Sequence, residues 1–206
     1  MTAKSDIPRI CLLTNSFYPV IGGGETHALQ LCREFLRKGG QVFVVTRRIT
    51  ADLKKEEVVD GLPVYRLPPV GFRRFGKYLM MLPTLLELIK RRKEYDVLYV
   101  CGLRIAGIPA MLASRLLRKP CVLRAESMGE LSGDFIWQSP DERIRRTRFR
   151  PLLEWCIRLR NQLLLGASAF ISISVPIAEE FETMGVPGSK NRRIRNGVNV
   201  EALQSP

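Results

Sequence analysis

The sequence has one histidine, His27, and no pair of cysteines at metal-ligand spacing. A zinc site is therefore not expected. Its five cysteines, Cys11, Cys32, Cys101, Cys121 and Cys156, are odd in number and widely scattered. That pattern argues against a disulfide framework and reads as buried free thiols in a reducing compartment. No apolar run approaches the roughly eighteen residues that would span a bilayer. Met1 to Arg9 is polar and leads into no signal-peptide core. A cytoplasmic chain is expected. Acidic residues are also scarce: 20 Asp and Glu face 33 Lys and Arg, for a net charge of +13. Such a balance favours anionic partners, whether nucleotide phosphates, nucleic acid or an acidic membrane surface. No RNA- or DNA-binding module is recognisable, and aromatics do not interleave with the basic residues as in a base-stacking platform, so nucleic acid is not the expected partner. The 206 residues suit one α/β domain, or a domain and part of another.

What is present is organised around Ile10 to Thr46. Ile10 to Leu13 is a short apolar run, as a strand buried on both faces should be. Pro19 interrupts regular structure, and Gly22, Gly23 and Gly24 follow in a row. Three glycines allow a sharp turn and let a ligand approach without Cβ clashes. From Glu25, Ala28, Leu31, Cys32, Phe35 and Leu36 recur at helical spacing. Gly39 and Gly40 stop the helix, and Gln41 to Thr46 is the next strand. A glycine loop opening a helix after a buried strand is a place to hold phosphate, because the first turn leaves N–H groups free and the dipole favours an anion. The same stretch also fits a tight turn that binds nothing. The nicotinamide fingerprint fits poorly: Gly22 and Gly24 match its first two glycines, but His27 stands at the third. Thr46, Arg47 and Arg48 stand where its acidic residue belongs. Arginine there could accept a ribose phosphate, which keeps a dinucleotide reductase as a rival.

Further on, Arg47 to Val59 is a charged, polar segment, and Asp60-Gly61 is a turn before a strand over Leu62 to Leu67. Gly71 to Lys93 pairs a basic, aromatic entry with an apolar helix, started by Pro83, and a basic exit. It reads as an amphipathic element touching anionic lipid or as a packed core helix. The second is preferred, since basic residues near helix C-termini are ordinary. Tyr95 to Cys101 and Cys121 to Ala125 are strands flanking a helix over Ile105 to Leu117, whose small residues Ala106, Gly107, Ala110 and Ala113 let it lie close to a sheet. Arg143, Arg145, Arg146, Arg148 and Arg150 crowd the next segment and fit an anion groove or, more simply, a solvated helix face. From Pro151, Leu152, Leu153, Trp155, Cys156, Leu159 and Leu163 predict a mainly core helix. Ala169 to Ser174 is a strand, and Val175 to Met184 a short helix closed by Gly185. Strands alternating with helices predict an α/β fold, a Rossmann-like parallel sheet with helices on both faces. Ligands of such sheets bind outside the C-terminal strand ends. Asn15 to Glu25, Gly102 to Arg104 and Glu126 to Asp134 are the positions to watch.

Two stretches carry a family resemblance. In "FYPVIGGGETHALQLCREFLRKGGQVFVVT", Pro19, Gly22, Gly23, Glu25, His27 and Gly40 fall on the opening pattern of a family 4 glycosyltransferase of the GT-B fold. Near the end, Ser174, Gly185, Pro187, Ile194, Asn196, Gly197 and Val198 match the same family's closing pattern, with Asn199 in place of the usual Asp. The resemblance spans nearly the whole chain. It implies one half of a GT-B enzyme: a glycosyltransferase family 4-like N-terminal domain over residues 1–198, and the start of an interdomain linker over 199–206. The C-terminal domain, which carries most of the donor site and a spaced glutamate pair, has no counterpart here. The chain is expected to be a fragment or a stand-alone acceptor half, inactive by itself. The implied reaction is transfer of a sugar from a nucleotide-sugar donor to a glycan or lipid-linked acceptor, with retention. No metal or other cofactor is implied. Peripheral contact with an anionic membrane stays open. Gly22, Gly23, Gly24 and His27 would face the donor diphosphate, with Ser127, Asn196 and Gly197 beside the substrates. Glu126 stands where many members carry a histidine facing the sugar, and is the candidate catalytic residue. A non-catalytic binding module, or one subunit of a split enzyme, is the alternative.

Overall fold

The computed structural model describes residues 7–71, 76–134 and 150–197. In chain order these form β1 (Ile10–Thr14), α1 (Gly23–Arg37), β2 (Val42–Arg47), β3 (Glu56–Val59), β4 (Leu62–Leu67), α2 (Gly76–Leu79), α3 (Met81–Lys90), β5 (Val97–Cys101), α4 (Leu103–Leu117), β6 (Cys121–Arg124), α5 (Arg150–Leu164), β7 (Ala169–Ser172), α6 (Val175–Thr183) and β8 (Asn191–Arg193). The strands make one sheet in the order β3-β4-β2-β1-β5-β6-β7-β8. Six of its pairings are parallel, and only the edge pair β3–β4 is antiparallel. β1 lies at the centre, with Leu12 between Val44 of β2 and Tyr99 of β5.

The apolar runs become strands because both faces of the central sheet are covered. On one face, Ala28 and Cys32 of α1 close over Leu12, Val42, Val44, Leu62 and Val64. On the other, Leu88 of α3, Ala110 and Met111 of α4, Leu164 of α5 and Phe181 of α6 pack on Cys11, Leu13, Val45, Leu98, Leu123 and Phe170. Gly107 is needed where α4 meets α5, since a Cβ there would stand 2.8 Å from Leu164 Cδ2. Tyr95 is buried and its hydroxyl donates to the Leu88 carbonyl at 3.0 Å, which ties the end of α3 to β5.

Three expectations are corrected. The charged segment before Asp60 contains β3, an edge strand whose residues alternate exposed and half-buried. Edge strands tolerate charge because one side has no neighbour to pack. The helix after Pro151 is only marginally core: Asn161 and Leu164 are its buried residues, while Leu152, Trp155 and Leu159 lie more than half exposed. Cys156 is exposed with them, unlike the four buried thiols. The apolar period was real, but its face points mostly outward. The arginines 143, 145, 146 and 148 lie outside the described residues.

Candidate functional site

The site lies at the C-terminal edge of the sheet, where the chain leaves β1 on one side and β5 and β6 on the other. This is the point at which strand order reverses, and the ends of neighbouring strands diverge to leave a crevice. After β1, Phe17 is buried under α1, and Arg66 of β4 donates to the Tyr18 carbonyl at 2.6 Å. These contacts fix the loop that carries Gly22, Gly23 and Gly24. Gly22 is the residue before α1 and is extended. None of the three glycines has a positive φ. Their value is therefore space, not a left-handed turn. A Cβ at Gly24 would stand 2.6 Å from Glu126 Oε1, and at Gly22 2.4 Å from the Glu25 carboxylate, whereas at Gly23 it would meet nothing within 4 Å. Ser16 donates its hydroxyl to Glu25, in the first turn of α1.

β6 ends in Arg124, which is 1% exposed and among the largest fully buried side chains. Its Nη2 donates to Asn196 Oδ1 at 2.7 Å, and its Nη1 lies 3.6 Å from Glu126 Oε1 with no hydrogen bond of its own. Arg124 thus joins the candidates that sequence placed far apart. His27, half-buried on α1, feels the same guanidinium: burial first, and then Arg124, bring its pKa down to about 4. The imidazole is neutral at physiological pH. Glu126 is pushed the other way, above the ordinary carboxylate value, first by burial and then by Glu130, with Arg124 opposing. Its carboxylate sits between two glycines, since a Cβ at Gly102 would come within 3.2 Å of Oε2.

The loop after β6 is held by two carboxylates. Glu130, 2% exposed, accepts from the backbone N–H of Glu126 at 3.0 Å, Ser127 at 3.1 Å and Leu103 at 2.8 Å, so it also caps α4. Glu180 of α6 accepts from Gly129, Leu131 and Ser132. Arg104 donates to Ser127 Oγ at 2.8 Å. His27, Glu126 and Asn196 are thus gathered around one buried arginine, with Gly24 against Glu126, Ser127 held beside it by Glu130 and Arg104, and Gly22 against Glu25. Gly23 is exposed at the first position of α1. Gly197 is exposed beside Asn196, and a side chain there would meet nothing within 4 Å. Sequence reasoning missed Arg124 and Glu180, whereas Arg104 lies in the expected stretch Gly102 to Arg104. Only Arg124 left a signal, a lone charge ending the apolar run Cys121 to Leu123. Free N–H groups at the start of α1, a buried cation, a neutral imidazole and a partly desolvated carboxylate suit an anionic ligand that also carries hydroxyls. Among the described residues no group of three His, Cys, Asp or Glu side chains is placed to hold a metal ion.

A doubly wound sheet with a ligand crevice at its switch point defines the class: an α/β domain of the Rossmann-like kind. The family follows from comparison. The Glycosyltransferase Family 4 model matches residues 21–202, and the chain belongs to that family. An uncharacterised glycosyltransferase of Methanocaldococcus jannaschii is 24% identical over 198 residues, 93% of this chain and 46% of that protein. One of the subunits of the human phosphatidylinositol N-acetylglucosaminyltransferase is 33% identical over 67 residues, 32% of this chain and 14% of that protein. Among solved structures, Anabaena HepE in complex with UDP and glucose superposes with a TM-score of 0.61 at 18% identity, over 94% of this chain and 46% of that one. The chain therefore spans less than half the length of these relatives, and its sheet corresponds to about half of a GT-B glycosyltransferase.

Proposed function

We propose that this chain is the acceptor-holding half of a glycosyltransferase that moves a sugar from a nucleotide-sugar to a glycan or lipid-linked acceptor, with retention at the anomeric carbon. The observation that carries the reading is the convergence of the glycine loop, His27, Glu126 and Asn196 around buried Arg124, in a chain of this family. The domain runs to about residue 198, and a second domain closes over the crevice with most of the donor. In that closed form the N–H groups at Gly23 and Gly24 face the donor diphosphate and stabilise the charge that develops on it as the sugar departs. Neutral His27 donates a hydrogen bond without adding charge. Glu126 and Ser127 orient sugar hydroxyls, and Asn196 with Gly197 forms the hinge side of the crevice. No metal is assigned to the reaction. The buried thiols Cys11, Cys32, Cys101 and Cys121 support a reducing, cytoplasmic setting.

The test is release of nucleoside diphosphate from a panel of nucleotide-sugars by the complete polypeptide. Gly23→Val should abolish release while leaving the unfolding transition in place, because its Cβ enters open space. Turnover at the unsubstituted rate in that variant would remove the loop from the mechanism. In a second reading the chain works as one half of a split enzyme. Activity that appears only on mixing with a separate polypeptide would establish that reading.

A further inference from the structure

α3 and α4 lie side by side on one face of the sheet, with their buried residues in the same core cluster. Their outer faces carry large apolar side chains. Thr84 and Leu88 are the buried residues of α3, while Leu82 is 64% and Leu86 58% exposed, with Leu79 exposed just before them. On α4, Leu112 and Leu116 are exposed four residues apart. A water-facing helix of the same protein looks different: α1 exposes Arg33, Glu34 and Arg37, with Arg37 paired to Glu34 and Arg33 to Asp60. Exposed leucine rows on two adjacent helices mark an interaction surface.

Charge identifies the partner. Residues 71–120 hold eleven Lys and Arg against three Asp and Glu, so a net +8 of the chain's +13 sits in this stretch. Two of the three acids, Glu87 and Glu94, are already paired with Arg91. Each helix returns from the C-terminal edge of the sheet to its N-terminal edge, which gathers exposed Lys90, Arg92 and Lys93 with Arg115 and Arg118 at one end of the leucine rows. We infer that the outer face of α3 and α4 docks on a lipid bilayer containing anionic phospholipid. The leucines enter the boundary between headgroups and acyl chains, and the basic cluster contacts lipid phosphates. The crevice lies at the opposite end of the same helices, so docking leaves it open at the rim of the membrane. This inference goes beyond glycosyl transfer and does not need it.

The probe is co-sedimentation of the chain with vesicles of phosphatidylglycerol and phosphatidylcholine in equal parts, against vesicles of phosphatidylcholine alone, with no sugar donor present. Binding to the anionic vesicles and its weakening by salt are expected. Arg92→Gln with Lys93→Gln should weaken it about 25-fold, from roughly fivefold per basic residue. Leu82→Ser with Leu86→Ser should weaken it about tenfold or more. Both pairs are exposed, so unchanged circular dichroism is expected. Lys38→Gln, after α1 on the other side of the sheet, should change binding less than about twofold, by screening alone. Absence of binding to the anionic vesicles overturns the inference, as does a loss with Lys38→Gln equal to that with the Arg92 and Lys93 pair. A lipid-free dimer that Leu82→Ser with Leu86→Ser dissolves would assign the face to a second copy of the chain instead, and also overturns it.

Discussion

Gly23 and Gly24 are adjacent, yet they have different reasons to lack a side chain. At Gly24 the reason is inside the protein: a methyl group would push Glu126 aside. At Gly23 nothing in the protein occupies the space. Gly23→Ala should therefore raise stability slightly, by about 0.5 kcal/mol, because alanine loses less entropy at a helix start. Gly24→Ala should lower it by about 1 kcal/mol, in the range of a displaced buried contact. Urea denaturation of the two variants separates them. His27 offers a second reading of the site. With its native pKa near 4 and an unfolded value near 6.5, the unfolded chain binds a proton through that window while the native chain does not. Stability from this group is complete above about pH 6.5 and falls as pH drops toward 4, by at most about 3 kcal/mol and less where solvent reaches the ring. His27→Gln should remove that component, while Glu126, whose raised pKa acts with the opposite sign, remains. The chain has one imidazole, so proton NMR should show a single titration with a midpoint near 4. A midpoint near 6.5 would mean that the imidazole is neither buried nor faced by Arg124.

At the scale of elements, two carboxylates decide whether the loop after β6 has a shape. Glu130 satisfies three backbone donors, one of them the first N–H of α4. Glu130→Ala would leave these partly buried groups without partners and should cost about 3 kcal/mol or more, at roughly 1 kcal/mol or more for each orphaned donor. Glu130→Gln keeps one carbonyl oxygen and should cost about half as much by chemical denaturation. α5 gives the opposite case. Leu152→Ser and Leu159→Ser should cost less than about 1 kcal/mol each, because those side chains are already in water. Leu164→Ala should cost about 2–5 kcal/mol, as a fully buried leucine does. From sequence all three leucines look alike. Periodicity reports that a helix has an apolar face, not whether anything covers it. The central strands were legible because burial on both faces requires continuous apolar runs. β3 and β8 were not, because an edge strand is held mainly by backbone pairing on one side and leaves little mark in its side chains.

For the molecule as a whole, the layer order and the position of the crevice followed from alternating strands and helices, since handed crossovers leave few ways to arrange them. The Gly22–Gly24 loop, Glu126 and Ser127 were legible because ligands of such sheets gather at strand ends. Arg124 was not, because its meaning lies in a contact with Asn196, 72 residues away. Net charge is a property of the whole molecule, and it sets two salt effects against each other. An exposed pair such as Arg9–Asp96 is worth about 0–1 kcal/mol, and salt weakens it. The excess of 13 positive charges repels itself more strongly in the folded chain, whose radius of gyration is about 17 Å, than in the expanded one. At about 0.01 M salt the screening length is about 30 Å, so every charge in the folded molecule acts on every other; at about 0.15 M it is about 8 Å, and only neighbours do. Salt therefore relieves the long-range repulsion almost entirely, while the pairs at contact distance lose only part of their attraction. Tm should rise by about 3 °C or more across that range of sodium chloride, corresponding to about 1 kcal/mol for a domain of this size. A fall in Tm would mean that the attraction within contact pairs outweighs the repulsion of the net charge.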